Sequence, residues 1–347
     1  MKKIKIGVIG CGYWGPNLVR NFIEIPEASV EGIADIDHNR LDHIKTRYPQ
    51  IDLVTKDYHD LFSRGLDAIV IATPPQTHFD IARDCLLHGL HILVEKPMTL
   101  NSQDARDLVE IANQRNLVLM VGHTFVFNPA VMALKEMINN GSIGEVQYVD
   151  AVRVSLGLYN SSLNVIWDLA PHDISILNYI LEDQPIKVCT QGSSCVQPGI
   201  EDIAYLTLVF PNDILAHIRI SWLDPCKTRK ITIVGTKKML IYDDVESLEK
   251  IKIYDKGVEA IRHTNTYGEF QFAYHYGDIV TPYIRLDEPL RLECLHFLEC
   301  IRTNNPPLTD GNNGLEVIEI VEAAQISLKN GGGVEFIQYH NKLRVPS

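Results

Sequence analysis

Lys96, Asp168 and His172 are side chains whose types and settings suit acid–base and electrostatic work. Lys96 lies in Glu95-Lys96-Pro97, directly after an apolar run that begins at His91. A buried strand that delivers an ammonium to its carboxyl end points it into the crevice where open α/β sheets bind ligands. Asp168 and His172 are four positions apart, and on a helix they would share one face, bringing a carboxylate toward an imidazole. The intrinsic pKa of histidine suits removal of an alcohol proton near neutrality. The same spacing fits Asp168 as the cap of a helix entered through Pro171, with His172 a packed polar side chain. The residues by themselves leave both readings open.

A second constellation is Gly10-Cys11-Gly12-Tyr13-Trp14-Gly15, which follows the apolar run Ile4–Ile9. Gly10 permits a tight turn, Gly12 lets backbone approach a pyrophosphate, and Gly15 permits close helix–strand packing. Pro16 then falls in the first helical turn, where its missing N–H does no harm, and the helix start offers N–H groups and a positive dipole end to phosphates. Asp35, twenty positions beyond Gly15, suits the hydroxyls of an adenosine ribose and repels a 2′-phosphate, which selects NAD. Asp37 is a nearby alternative that also suits a helix N-cap. Tyr13, Trp14, Ile36, Thr73, Pro74, His78, Glu95 and Lys96 are the further candidates for contact with the dinucleotide.

The elements that must position these groups come in two textures. Up to Gly122, apolar runs at Ile4–Ile9, Ser29–Asp35, Ile51–Val54, Ala68–Thr73, His91–Glu95 and Val118–Gly122 alternate with helical patterns at Asn17–Ile25, Arg40–Tyr48, Phe79–His88 and Ser102–Gln114. Strand–helix alternation with unbroken apolar strands predicts a doubly wound parallel sheet covered on both faces. After a crossover at His123–Pro129, a helix at Pro129–Asn139, a strand near Val146–Ser155 and a helix near Leu169–Leu181 are expected. Consecutive strands then follow at Ile186–Thr190, Ala204–Phe210, Leu215–Trp222, Lys230–Val234, Met239–Asp243 and Lys250–Asp255. Their polar–apolar alternation predicts a large, mainly antiparallel sheet with one face solvated or packed on a partner. Asp255–Pro282 reads as loop, and helices at Leu290–Arg302 and Asn313–Asn330 close the pattern before Gly331-Gly332-Gly333. The expected organisation is an α/β chain with a nucleotide-binding domain over 1–122 and a substrate-binding and oligomerisation domain over 123–347.

The chain has 347 residues, 46% of them hydrophobic, enough for two cores. A net charge of −12 argues against nucleic acid or an anionic membrane as partner. No apolar stretch reaches the roughly 18 residues of a membrane span, and the opening MKKIKIGVIG reads as a strand rather than a signal peptide. Seven cysteines without CxxC or Cys/His metal spacing predict buried or half-buried free thiols, a cytoplasmic setting and no metal site.

With VIGCGYWG, ADID, ATPPQTH, VEKPM and WDLAPHD in view, the chain resembles the glucose–fructose oxidoreductase / inositol dehydrogenase (Gfo/Idh/MocA) family over nearly its whole length. The resemblance implies a Rossmann domain, bound NAD, and Lys96 beside substrate and nicotinamide, with Asp168 and His172 completing the site. It implies reversible alcohol–ketone interconversion: a carbinol hydrogen leaves as hydride, His172 oriented by Asp168 takes the hydroxyl proton, and Lys96 donates to the developing alkoxide. Ser175 and Val126 stand where many relatives carry an aspartate and an arginine, which bears on substrate more than on chemistry. Besides Lys96 and His172, substrate contacts are expected from His123, Tyr159, Asn164, Trp167 and Tyr283. The run Val165–Asp173 and the loop Tyr274–Pro289 resemble the branch acting on nucleotide sugars, so a UDP- or dTDP-sugar oxidised at C3 is expected. A free sugar or inositol, an NAD-dependent glycosidase and a non-catalytic NAD sensor are the alternatives. An exposed antiparallel sheet commonly pairs with another copy, so a homodimer or homotetramer is expected.

Overall fold

The computed structural model describes residues 3–157, 159, 162–261 and 271–339. They form two compact units, one built from Met1–Phe127 with Asp287–Glu319, the other from Asn128–Leu286 with Ile320–Gln338.

In the first unit, β1 (Ile4–Ile9), β2 (Ala28–Ala34), β3 (Leu53–Thr55), β4 (Ala68–Ile71), β5 (His91–Glu95) and β6 (Leu119–Gly122) make a sheet in the order β3-β2-β1-β4-β5-β6. Every pairing in it is parallel. This is the doubly wound Rossmann order, which reverses direction between β1 and β4 and opens a crevice at their carboxyl ends. The inner strands are apolar on both faces because helices cover both: all four residues of β4 are buried. The covering helices are α1 (Gly15–Glu24), α2 (His38–Arg47), α3 (His78–Leu87) and α4 (Ser102–Arg115). Far along the chain, α7 (Pro289–Thr303) packs on α1 through an edge-to-face contact of Phe22 and Phe297, with ring centroids 6.5 Å apart. The backbone of Thr309 and Asp310 runs beside β6: the Val121 amide donates to Thr309 at 2.8 Å, and Met120 bridges to Asp310.

The second unit carries α5 (Pro129–Asn139), β7 (Val146–Val154), α6 (Val165–Leu181), β8 (Lys187–Ser193), β9 (Ile203–Val209), β10 (Leu215–Ser221), β11 (Thr228–Gly235), β12 (Met239–Asp243), β13 (Ile251–Ile261), β14 (Gln271–Val280) and β15 (Glu335–Phe336); α8 (Gly311–Lys329) is shared between the units. Its nine strands run β14-β13-β12-β11-β7-β10-β9-β8-β15, antiparallel except where β10 pairs with β7. On β9 and β10 the residues Ala204, Leu206, Leu208, Ala216, Ile218 and Ile220 are fully buried, and the α6 helix packs on these strands. The alternating positions Tyr205 and Leu215 are exposed, as the period of two requires of a sheet covered on one face.

Three expectations need correction. The segment read as loop from Asp255 to Pro282 carries the end of β13 and all of β14; residues 262–270 lie outside the described structure. Both strands mix charged, polar and apolar residues because β14 is an edge strand with most of its residues open to solvent. Helix α6 begins at Val165, capped by Asn164, so Pro171 lies inside it rather than at its entrance, and Asp168 is a first-turn residue rather than the cap. All seven cysteines are free, yet Cys195 and Cys226 are exposed rather than buried. Among the described residues no helix is long and apolar enough to cross a membrane.

Candidate active site

In the first unit the glycine loop has the local geometry that its sequence demands. Gly10 takes φ +94°, and a Cβ there would stand 2.6 Å from the Ala72 carbonyl. A Cβ on Gly15 would collide with the Gly10 carbonyl oxygen. Gly12 differs: its nearest neighbour would be Arg40 Nη1 at 3.6 Å, so no steric demand inside the chain requires a glycine there. Such a position leaves room for a ligand to approach the backbone. Helix α1 starts at Gly15 with no side-chain cap, leaving its first N–H groups to an anion. These residues fit a dinucleotide pyrophosphate.

Asp35 lies past the end of β2, and its side chain is nearly buried. Its Oδ2 accepts the Cys11 amide at 2.6 Å, and its Oδ1 accepts the Asp37 amide at 2.8 Å. Arg40 stands 3.8 Å from Asp35 and 3.5 Å from Asp37. Asp37 caps α2 by accepting the Asn39 amide at 2.9 Å. Tyr13 and Ile36 are exposed at 86% and 88%, with the Tyr13 ring stacked beside that of Trp14 at a centroid distance of 6.4 Å.

After β4, the Thr73 hydroxyl accepts from Thr77 at 2.8 Å and Pro74 leads into a short 3₁₀ turn. His78 is fully buried, with Nε2 2.8 Å from the Thr73 carbonyl and Nδ1 2.9 Å from the Pro97 carbonyl. It braces the two strand-end loops against each other, with both ring nitrogens at backbone carbonyls.

Glu95 and Lys96 end β5 beneath that brace. Burial pushes the Glu95 carboxyl up to about 8, with Lys96 and the Trp14 indole pulling the other way. Glu293, on α7, is wholly buried, and its carboxyl is pushed well above its ordinary range by burial and by Glu95; the Thr124 hydroxyl donates to it at 2.8 Å. His123, just before Thr124, is 1% exposed and driven down to about 3 by burial and by Lys96. His123 is therefore held neutral, and neither ring nitrogen has a hydrogen-bond partner among the described residues. Glu293 escaped the sequence reading because one glutamate in an amphipathic helix carries no mark of burial.

In the second unit, α6 presents Asp168 and His172 one turn apart, both half-buried. Asn164 caps the helix: its Oδ1 accepts the Trp167 amide at 3.3 Å and Gln325 at 3.0 Å, while its Nδ2 donates to Glu201 at 2.7 Å. Its amide is engaged on both sides by the fold. Trp167 is half-buried on the first turn of α6. Asp173, next to His172, takes a bidentate ion pair from Arg153, at 2.7 and 3.0 Å, with both side chains buried. Ser175, in place of an aspartate, donates to the His172 carbonyl at 2.9 Å. The Tyr159 hydroxyl donates to Asp202 at 2.7 Å, and Tyr283 is 91% exposed beyond β14. Leu158, Asn160 and Ser161 of the segment Arg153–Asn164 lie outside the described residues. One partner had no signal in the sequence: the Trp222 indole, at the end of β10, donates to Asp168 Oδ2 at 3.0 Å.

Residues 4–123 match the model of an oxidoreductase family with an NAD-binding Rossmann fold, and residues 131–241 match the GFO/IDH/MocA C-terminal domain. The chain belongs to the GFO/IDH/MocA family. Its relatives include a myo-inositol 2-dehydrogenase of Thermotoga maritima, 24% identical over 96% of this chain and 98% of that one. They also include a UDP-N-acetylglucosamine 3-dehydrogenase of Acidithiobacillus ferrooxidans, 26% identical over 75% of this chain and 80% of that one. A solved structure of UDP-N-acetylglucosamine 3-dehydrogenase GnnA from that organism superposes with a TM-score of 0.77 at 23% identity, covering 95% of this chain and 99% of that one. As a GFO/IDH/MocA member the chain is an NAD-dependent oxidoreductase of the sugar and inositol dehydrogenase group. Among its described residues no cluster of three His, Cys, Asp or Glu side chains could hold a metal.

Proposed function

We propose that this protein oxidises a ring hydroxyl of a nucleotide-activated sugar, at C3, with NAD as acceptor. The reading rests on the similarity to a UDP-N-acetylglucosamine 3-dehydrogenase, joined to the run Val165–Asp173, which lies intact on α6. Tyr274, Tyr276 and Tyr283 are 63%, 76% and 91% exposed, which leaves ring faces free to stack on a base or sugar.

When bound, NAD supplies a nicotinamide C4 that takes up the carbinol hydrogen as hydride. The chain's own groups do the rest. The glycine loop and the start of α1 hold the pyrophosphate, and Asp35 takes the adenosine ribose. The His172 imidazole accepts the hydroxyl proton, oriented by the carboxylate of Asp168. Lys96 donates a hydrogen bond to the alkoxide oxygen as charge develops on it. Glu95 fixes Lys96. In the reverse direction the same groups return the proton. The chain works as a homodimer or homotetramer, joined through the uncovered face of the nine-stranded sheet, where Tyr148, Tyr205 and Leu215 are exposed.

Oxidation of a free inositol or sugar is the second reading, favoured by the myo-inositol 2-dehydrogenase matched over 96% of this chain. Incubation with NAD and UDP-N-acetylglucosamine, its uronic acid or dTDP-glucose separates the two. NADH formed with a product two mass units lighter supports the nucleotide-sugar reading. Activity on inositol or glucose alone overturns it and leaves the dehydrogenase. Turnover of a glycoside without net NADH would point to hydrolysis, and NAD binding without any turnover to a sensor.

A further inference from the structure

We propose that Trp222 is a positioning residue for the Asp168–His172 pair, holding the Asp168 carboxylate through its indole N–H. The inference rests on the dehydrogenase reading above. Trp222 follows β10, while Asp168 lies on the first turn of α6, 54 residues earlier, and the Nε1–Oδ2 distance is 3.0 Å. An indole N–H can only donate. Its partner is therefore fixed as an acceptor, and a bond to a carboxylate is stronger than one between neutral groups.

The indole is itself immobilised. Trp222 is 2% exposed. Its amide donates to the Asp202 carbonyl at 2.9 Å, and its carbonyl accepts from the Gly157 amide at 3.0 Å. Gly157 lies so close that a Cβ there would stand 3.1 Å from indole Cδ1. The Tyr159 ring covers the indole at a centroid distance of 5.3 Å and a tilt of 57°. Tyr159 in turn is tethered to Asp202 Oδ2, which also accepts the amides of Cys195 and Val196, each at 2.8 Å.

A carboxylate on a helix turn has free side-chain torsions. With Oδ2 held by a rigid donor, the Asp168 carboxylate loses side-chain freedom on the helix turn that precedes His172. Tyr159, read from sequence as a substrate contact, then serves the base through the ring it covers.

A double-mutant cycle on the full-length enzyme tests this, using NAD and whichever of UDP-N-acetylglucosamine, dTDP-glucose and myo-inositol turns over fastest. Trp222→Phe keeps an aromatic ring and removes the donor. It should lower kcat by about 10–100-fold, the range for outer partners of a site residue, with KM for NAD unchanged. In an Asp168→Asn background it should cost less than about two-fold more, because coupled residues are not additive. An equal loss in both backgrounds means the indole acts by packing and overturns the proposal. A second readout needs neither turnover nor a folded Trp222 variant. In protein labelled with ¹⁵N-tryptophan, with the indole resonances assigned through Trp14→Phe and Trp167→Phe, Asp168→Asn should move the Trp222 N–H upfield. An unmoved resonance overturns the hydrogen bond itself. If the resonance moves while Asp168→Asn leaves kcat intact, the base assignment fails and the positioning role fails with it.

Discussion

Asp35 Oδ2 lies 2.6 Å from the Cys11 amide and 3.8 Å from Arg40 Nη1. The carboxylate that should choose the cofactor is thus also the clamp on the glycine loop, with a cation on its open side. Selectivity and loop geometry therefore change together when it is altered.

NAD should be preferred over NADP. A 2′-phosphate at close range to Asp35 costs about 1–3 kcal/mol, roughly 5- to 160-fold in affinity. Comparison of kcat/KM with both cofactors decides it, and a preference for NADP would mean that Arg40 outweighs Asp35. Asp35→Ala should narrow the preference and also raise KM for NAD, because the Cys11 amide loses its acceptor.

Lys96→Met and His172→Ala should each lower kcat by roughly 10²–10⁴-fold, the range for acid–base and oxyanion groups. NAD affinity, measured by calorimetry, should survive His172→Ala. Near-normal turnover of either variant on its true substrate would refute the assignment.

The buried carboxyls make stability fall as pH rises. Glu95 is raised from its ordinary 4.5 to about 8, and Glu293 is also raised. Between those values the folded chain keeps a proton that the unfolded chain has lost. The contribution is complete below about pH 4.5 and is lost as pH climbs through about 8, with a slope on the order of 1 kcal/mol per pH unit for each such group. Glu293→Gln, a neutral isostere, should flatten this slope and raise Tm at pH 8. Thermal melts from pH 5 to 9 test it; a Tm that rises across the window and ignores the substitution contradicts the account.

Arg153→Leu should cost about 3–5 kcal/mol in a denaturant titration, because it strands the buried Asp173 carboxylate. Adding Asp173→Leu should recover much of that loss. A single variant as stable as the parent would show that the pair carries no structural weight.

The Rossmann half was legible because both of its chemical cues are local. A strand buried on both faces is an unbroken apolar run, and a glycine that must adopt φ +94° has no substitute, as Gly10 illustrates. The misreadings share a different cause. Asn164 is visible in sequence as a polar residue but not as a cap, so α6 is expected to start later than it does. The strand β14 was missed because an edge strand buries little and keeps no alternation. The burial of His78 and His123 was not legible, because nothing in their neighbours' identities reveals it. Trp222 and Glu293 meet their partners across 54 and 169 residues, so no window of sequence contains the relationship.

The strand of backbone at Thr309 and Asp310 beside β6 has a consequence for synthesis. The Thr309 hydroxyl and amide carbonyl meet Val121 from 188 positions away. When the first 127 residues have left the ribosome, the outer edge of β6 still has no neighbour, and the face of α1 that receives Phe297 is bare. That nascent segment exposes an unpaired strand edge and apolar surface until more than 180 further residues are made, an interval of about 10–40 s at elongation rates of roughly 5–20 residues per second. Holdase chaperones should therefore bind ribosome-stalled chains ending near residue 250 and release the full 347-residue chain once it has left the ribosome. A fragment ending at Phe127 should aggregate where one that also supplies Asp287–Glu319 in trans does not.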